Sequence, residues 1–407
     1  MKTDISEKYA SNPQVKEAES IIRSCVHCGF CNATCPTYQE LHDERDGPRG
    51  RIYMIKKMLE GGAVSENTRV HLDRCLTCRS CETTCPSGVK YGRLLDITRG
   101  LLEREMPRPK IAAFKRWLIR AILPSPVLFS SLLICGRVVR PLLPAALKRK
   151  VPLRQPYSPA RIETHKRTML LLESCGQSNT TPATNAAATR VLSALGISLV
   201  SAQKAGCCGA VDYHLGAHAK GLRRMRHNID AWWPEVENGC EAIVVTASGC
   251  GPMVQDYGHL LQDDPFYAAK ATQVSALAKD LSEVVLDEDL SALNIKAPKE
   301  KIALHIPCTL QHGMGLPDTV KTIFQQAGFI LAKTKESHLC CGSAGTYSLL
   351  EPALSKRLLV RKVGALTADN PDKIATANIG CQLHIQSGCQ TPVHHWIDLL
   401  DQAISDT

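Results

Sequence analysis

The chain has 407 residues, 44% of them hydrophobic and 5% aromatic, which is enough for two or three domains with their own cores. Its formal net charge is +10, but residues 107–167 hold fourteen Lys or Arg and one acid, Glu163, so that this segment alone carries +13. The rest of the chain has a net charge of −3. Because the basic residues are confined to one segment, a protein that binds nucleic acid over its whole surface is excluded. We predict no nucleic-acid partner.

The chain also contains nineteen cysteines. The first fifteen residues lack the apolar core of a secretory signal, and no run of about 18 apolar residues indicates a transmembrane helix. We therefore expect a cytoplasmic protein. Because disulfide frameworks are rare in a reducing cytosol, we interpret the cysteines as metal ligands or redox groups.

A run of the form C-x2-C-x2-C-x3-C-P occurs twice, beginning at Cys25 and at Cys75. In bacterial ferredoxins the first three cysteines of such a run bind one [4Fe-4S] cluster, and the fourth binds the other cluster. The spacing thus predicts two [4Fe-4S] clusters, one on Cys25, Cys28, Cys31 and Cys85 and one on Cys75, Cys78, Cys81 and Cys35.

Structural zinc is the remote alternative for these cysteines, which would make the chain a zinc-dependent interaction protein. Zinc sites, however, use two C-x2-C pairs rather than a four-cysteine run that ends in proline. Residues 50–60 between the two runs have helical spacing and are followed by Gly61 and Gly62. We therefore predict a partly helical ferredoxin-type domain over residues 1–106.

Residues 107–167 combine nine prolines with the basic excess and are predicted to be a linker with short amphipathic helices. Apolar residues such as Trp117 and Phe129 alternate there with Lys115 and Arg120. Such a segment either lies on an anionic membrane surface or packs against the rest of the protein or a partner. Pro124 and Pro126 interrupt the apolar run, so we expect peripheral contact with the inner face of the cell membrane rather than a span.

A second repeat follows, marked by Cys-Cys-Gly at residues 207–209 and 340–342. In both units another cysteine, Cys175 or Cys308, lies 32 positions before the pair. Short apolar runs alternate with longer amphipathic ones, which predicts two parallel α/β lobes over residues 168–297 and 298–407. The predicted fold class is α+β overall, with the ferredoxin-type domain followed by two tandem α/β lobes.

The cysteines of each lobe are predicted to follow strands and to meet at the carboxyl edge of the sheet. Adjacent cysteines do not readily bridge each other, but they can offer two thiolates to one metal cluster. The alternatives are inert buried thiols and a dithiol that cycles to a disulfide. The candidate ligands of one or two further iron-sulfur clusters are Cys175, Cys207, Cys208, Cys250, Cys308, Cys340, Cys341 and Cys381.

Three histidines and two arginines close to the cysteines are predicted to have structural roles. For the histidines His305, His312 and His338 we predict capping or packing rather than cluster or quinone binding. For Arg49 and Arg51, which follow Asp-Gly-Pro, we predict surface salt bridges.

The lobes resemble the cysteine-rich CCG domain of heterodisulfide reductase, anaerobic glycerol-3-phosphate dehydrogenase and lactate-utilisation subunits. Members of that family often end each unit in C-x2-C, whereas this chain has Ala247 and Asn378 in place of the first cysteine of each closing pair. Four candidate ligands per lobe therefore remain instead of five.

Over its whole length, including VHCGFCNATCPTY, DGPRGRIY, NIDAWWP and SHLCCGSAGTY, the chain resembles the iron-sulfur subunit of bacterial glycolate oxidase. That resemblance implies flavin-binding partner subunits that oxidise glycolate to glyoxylate, and a respiratory-chain acceptor, a quinone. The chain has no G-x-G-x-x-G after a predicted strand, Walker A, G-x-S-x-G or H-E-x-x-H motif, so we expect no substrate-oxidising site on it. The alternatives are a heterodisulfide-reductase-like subunit and the iron-sulfur subunit of a lactate or glycerol-3-phosphate dehydrogenase.

Overall fold

A computed structural model of the chain describes residues 1–144, 148, 151–153, 160 and 163–404. A helical N-terminal part leads into two four-stranded parallel sheets, as the predicted fold class requires. The N-terminal helices are α1 (Pro13–Ser24), α2 (Phe30–Ala33), α3 (Pro36–Leu41), α4 (Pro48–Leu59), α5 (Glu66–Asp73), α6 (Ser80–Thr83) and α7 (Tyr91–Glu105).

The N-terminal helices pack around one apolar core. Helix α1 begins where the Asn12 side chain accepts a hydrogen bond from the backbone N–H of Gln14, which caps the helix before Pro13. The helix predicted over residues 50–60 is confirmed as α4, and Gly61, with φ +91°, follows it. The apolar faces of these helices bury Ile22, Ile55, Leu59, Leu72, Leu94 and Leu95.

The basic segment forms two helices, α8 (Lys110–Ile122) and α9 (Pro126–Val139). No single helix in the described ranges is long and apolar enough to cross a membrane. Taken together, α8 and the stretch Pro126–Leu142 reach the length and composition of a span, but they are bent by 102°. Within the predicted linker, residues 145–147, 149–150, 154–159 and 161–162 lie outside the described residues.

Each lobe contains one parallel sheet with the same strand order. The first sheet is ordered β2-β1-β3-β4, with β1 (Arg167–Leu172), β2 (Ile197–Ser201), β3 (Ile243–Val245) and β4 (Ala278–Asp280). The second is ordered β6-β5-β7-β8, with β5 (Lys301–His305), β6 (Ile330–Leu331), β7 (Lys373–Thr376) and β8 (Val393–His395).

Helices cover the two sheets. Those of the first lobe are α10 (Gln177–Thr180), α11 (Pro182–Ala194), α12 (Ala210–His214), α13 (His218–Glu237), α14 (Gly251–Gln255), α15 (Tyr257–Leu260), α16 (Ala268–Leu277) and α17 (Leu281–Leu286). Those of the second lobe are α18 (Thr319–Gln326), α19 (Tyr347–Leu350), α20 (Pro352–Thr367), α21 (Ile379–Gly388) and α22 (Trp396–Ala403).

The two lobes share one apolar core. Helix α11 of the first lobe packs against α22 of the second, and α17 of the first packs against α18 of the second, which is the exchange expected of an approximate two-fold axis. Trp396 is fully buried in that core, and the His395 imidazole, also buried, bonds to the carbonyl oxygen of Thr246 at 2.9 Å. The lobes are therefore packed as one body, while the domain boundaries at residues 106, 167 and 297 stay predictions.

Candidate metal centres

The two ferredoxin-type loops adopt matching backbone conformations. His27 and Gly29 in the first loop, and Thr77 and Arg79 in the second, all have positive φ values, of 62°, 88°, 55° and 59°. A β-branched residue such as Thr77 rarely adopts this region, so the surrounding structure must hold it there. In both loops the left-handed residues lie on either side of the second cysteine of the run.

The loops lie side by side because the helical turns that follow them are hydrogen-bonded to each other. The Thr34 hydroxyl donates to the carbonyl oxygen of Ser80 at 3.4 Å, and the Thr84 hydroxyl donates to the Thr34 hydroxyl at 3.2 Å. Thr34 and Thr84 each precede the fourth cysteine of their run. This contact brings that cysteine of each run towards the other loop.

Two small cavities are lined by these eight thiols. The first is lined by Cys25, Cys28, Cys31 and Cys85, together with Cys81. The second is lined by Cys35, Cys75, Cys78 and Cys81. The fourth cysteine of each run thus lines the cavity of the other run.

The chemistry of these thiols suits an iron-sulfur cluster. None of the nineteen cysteines, all of which lie in the described part of the chain, forms a disulfide. Burial, followed by the neighbouring Cys308, raises the pKa of the Cys78 thiol well above its ordinary value, and burial likewise raises that of Cys81. Since a thiolate is disfavoured at such sites unless a cation accompanies it, buried thiols that converge on a cavity fit a metal cluster.

Arg51 lies beside the second cavity, and the prediction that it forms a surface salt bridge is wrong. Its guanidinium is fully buried and donates to the carbonyl oxygen of His71 at 2.7 Å, to the Thr37 hydroxyl at 3.0 Å and to the Asp46 carboxylate at 3.3 Å. Burial alone would lower its pKa, but nearby groups, Cys75 first, hold that pKa above its ordinary value. The sequence shows an arginine but not the buried acceptors that it satisfies.

In the lobes, each Cys-Cys-Gly unit follows the second strand of its sheet. Gly209 and Gly342 have φ values of +92° and +89°. A Cβ atom at Gly209 would lie 3.0 Å from the carbonyl oxygen of Gly221, and one at Gly342 would lie 2.7 Å from that of Ser355. Glycine is therefore needed at both positions for its conformation and for the close approach of a helix.

The four candidate thiols of the second lobe are buried close to one another. The sulfur atoms of Cys308 and Cys340 are 3.8 Å apart. The sulfur atoms of Cys341 and Cys381 lie within 4.8 Å of each other and of a ring nitrogen of His305. Burial and then the Lys362 ammonium lower the pKa of His305 well below its ordinary value, so its imidazole is neutral. The predicted capping or packing role does not account for His305, because neither ring nitrogen has a hydrogen-bond partner among the described residues.

His312, another histidine near the Cys-Cys-Gly unit, has a hydrogen-bond partner at each ring nitrogen. His312 bonds to the Thr83 hydroxyl at 3.0 Å and, through its other ring nitrogen, to the carbonyl oxygen of His338 at 3.1 Å. His312 therefore links the second lobe to the ferredoxin-type domain, which agrees with the packing role predicted for it.

A larger cavity, of about 290 Å³, lies where the ferredoxin-type domain meets both lobes. The loop that contains Cys78 contacts the second lobe here, since Leu76 packs against Cys308, Cys340 and Tyr347. Thiols of all three domains line this cavity, namely Cys75, Cys78, Cys175, Cys207, Cys208, Cys250, Cys308, Cys340 and Cys381.

Comparisons with known proteins agree with this arrangement. Residues 21–89 match the 4Fe-4S dicluster domain family, and residues 169–255 and 302–386 both match the cysteine-rich domain family. The crystal structure of a hypothetical protein from Helicobacter pylori has the same fold, with a TM-score of 0.56 at 11% identity over 98% of this chain and 74% of that one. The fold and the thiol sites define an iron-sulfur electron-transfer protein with two [4Fe-4S] clusters in its N-terminal domain.

Full-length relatives identify the family. The chain is 52% identical to the glycolate oxidase iron-sulfur subunit of Escherichia coli (strain K12), over 99% of both chains. It is 28% identical to the probable glycolate oxidase iron-sulfur subunit of Bacillus subtilis (strain 168), over 91% of this chain and 90% of that one. The chain belongs to the family of glycolate oxidase iron-sulfur subunits.

Proposed function

We propose that the eight ferredoxin-type cysteines divide between the clusters in a crossed arrangement. Cys25, Cys28 and Cys31 would bind one cluster with Cys85, and Cys75, Cys78 and Cys81 would bind the other with Cys35. The two cavities support this division, because each contains the fourth cysteine of the opposite run. Sharing ligands in this way keeps the two clusters close together.

We further propose that the chain carries electrons from a flavin-binding partner that oxidises glycolate to glyoxylate towards a respiratory quinone. The observation that supports this best is the position of Cys75 and Cys78, which line both a ferredoxin-type cavity and the cavity shared with the lobes. One loop therefore adjoins two groups of thiols. Electrons that reach the second cluster would have a short path to the lobes.

The role of the polypeptide in this proposal is to hold the clusters and exclude water. Bound iron-sulfur clusters supply one-electron chemistry, and the cysteines of this chain fix their spacing. We propose that the lobes hold further clusters, on Cys175, Cys207, Cys208 and Cys250 and on Cys308, Cys340, Cys341 and Cys381. Oxidation of glycolate itself would take place on a partner subunit.

The proposal is tested by isolating the chain anaerobically together with its co-purifying partners. Adding glycolate to the oxidised complex should reduce the bound flavin and lower the visible absorbance of the clusters, and adding a quinone should restore it. A disulfide substrate assayed in parallel should not reoxidise the clusters. If glycolate reduces the flavin while the clusters stay oxidised, or if the disulfide replaces the quinone, the proposed function is wrong.

We also propose that helices α8 and α9 attach the protein to the anionic inner face of the membrane. Helix α9 has no buried residue, and Ile111, Phe114 and Trp117 of α8 are 86%, 61% and 56% exposed. The opposite side of α8 is fixed to the protein, since Arg116 is buried and pairs with Asp73 at 3.0 Å. Exposed apolar residues beside lysines and arginines favour a membrane surface over an acidic protein partner.

Replacing Phe114 and Trp117 by serine should weaken binding to vesicles that contain anionic lipid by roughly tenfold or more, because two aromatic side chains no longer enter the interface. Flotation of the complex with such vesicles measures the bound fraction. Phe266→Ser is the matched control, since Phe266 is 83% exposed but belongs to the first lobe. Equal flotation of the original protein, the double variant and the control would exclude this attachment.

A further inference from the structure

His305 has a buried imidazole side chain. It ends strand β5, is 2% exposed, and neither of its ring nitrogens has a hydrogen-bond partner among the described residues. A neutral imidazole has one N–H donor and one lone-pair acceptor, and leaving both unsatisfied away from water is unfavourable. A bound group that is not part of the polypeptide would therefore satisfy at least one of the two ring nitrogens.

The thiols of the second lobe indicate what that group is. A ring nitrogen of His305 and the sulfur atoms of Cys341 and Cys381 all lie within 4.8 Å of one another. This is the spacing of ligands around a common metal centre, and imidazole and thiolate are both ligands that iron and zinc accept. The hydroxyl of Thr376, the neighbour of His305 on β7, is also buried and has no hydrogen-bond partner in the part of the chain that the structure describes.

The first lobe has no equivalent of this group. By the repeat, His305 lies three residues before Cys308, and the residue three before Cys175 is Leu172, which is buried in an ordinary apolar core. A packing role would be met equally well by an aliphatic side chain, as it is in the first lobe. At this position the second lobe therefore has a side chain with nitrogen donor atoms, whereas the first lobe has an aliphatic side chain.

Lys362 is a buried cation of the second lobe. It is 2% exposed, and its ammonium donates to the carbonyl oxygen of Glu336 at 2.7 Å. Burial lowers the pKa of Lys362, whereas Cys341 and Cys340 act in the opposite direction. A buried cation beside the thiols fits a site that carries negative charge.

We propose that His305 is a ligand of the iron-sulfur centre of the second lobe, together with Cys308, Cys340, Cys341 and Cys381. The two lobes then hold chemically different centres, one with four thiolate donors and one with four thiolates and an imidazole. This inference rests on the proposal that the second lobe holds a cluster. It adds the identity of a nitrogen donor at that cluster.

The test uses the anaerobically isolated complex from cells grown with either natural or ¹⁵N-labelled histidine. The second-lobe signal is identified in pulsed electron paramagnetic resonance spectra as the one lost in Cys341→Ala. We expect that signal to show a strongly coupled nitrogen that changes with the ¹⁵N label and disappears in His305→Leu. His338→Gln, near the same thiols, is the control and should keep the coupling.

Mössbauer spectra of ⁵⁷Fe-enriched protein provide a second measurement that does not depend on a paramagnetic state. An iron site distinct from the all-thiolate sites should be present in the original protein and absent in His305→Leu. A Cys341-dependent cluster without a strongly coupled nitrogen, and with spectra unchanged in His305→Leu, would overturn the assignment of His305 alone. Spectra unchanged in Cys341→Ala would instead overturn the proposal that the second lobe holds a cluster.

Discussion

Replacing Cys28 and Cys85 together by alanine is expected to remove one ferredoxin-type cluster and leave the other with all four of its ligands. Cys28 and Cys85 line the same cavity although they belong to different runs. The double variant should lose about four irons per chain and retain one intact ferredoxin-type [4Fe-4S] cluster. On reduction, the signal of that cluster should lose the magnetic broadening caused by the other ferredoxin-type cluster.

The matched control is the double variant Cys28→Ala, Cys35→Ala, in which both changes fall within one run. Cys35 lines the other cavity, so this variant should leave both clusters short of one ligand and no ferredoxin-type cluster intact. Iron counts and the spectra of the reduced proteins distinguish the two variants. The reverse result, with one intact cluster in the control and none in the Cys28/Cys85 variant, would show that each run binds its own cluster.

Replacing Arg51 by alanine is expected to destabilise the N-terminal domain by ~3–5 kcal/mol, because it removes one partner from a fully buried network. In the variant, the buried Asp46 carboxylate keeps two partners, Arg74 at 3.0 Å and His71 at 3.0 Å. The carbonyl oxygen of His71 and the hydroxyl of Thr37, in contrast, each lose the donor that Arg51 supplied. The midpoint of thermal unfolding, followed by circular dichroism and cluster absorbance, should fall by more than about 10 °C.

Arg45→Ala is the control for the loss of an arginine from the same region. Arg45 forms its ion pair with Asp43 at the protein surface, at 2.7 Å, and both side chains are partly exposed. Surface pairs of this kind contribute little, so the midpoint should remain close to that of the original protein. Equal midpoints for Arg51→Ala and Arg45→Ala would show that the buried network is not needed for stability.

The features that the sequence predicted well are those encoded by short, repeated spacings. The cysteine run that begins at Cys25 recurs at Cys75, and the structure brings all eight thiols to two adjoining cavities. The two parallel α/β lobes were also predicted, because apolar runs alternate there with amphipathic ones.

The features that the sequence did not predict depend on contacts between distant segments. Arg51 was expected at the surface, but its buried position is set by acceptors on other elements, His71 among them. His305 was expected to cap or pack, because no local pattern shows that the end of β5 meets Cys341 and Cys381. The large cavity between the three domains likewise exists only once the lobes have packed on the loop around Cys78.

Counting iron and acid-labile sulfide in the anaerobically isolated chain tests most directly whether these thiols form an electron-transfer path. The two ferredoxin-type clusters alone require about eight irons and eight sulfides per chain, and clusters in the lobes would raise both numbers. A colourless protein that contains stoichiometric zinc and no labile sulfide would contradict the assignment of these cysteines to iron-sulfur clusters.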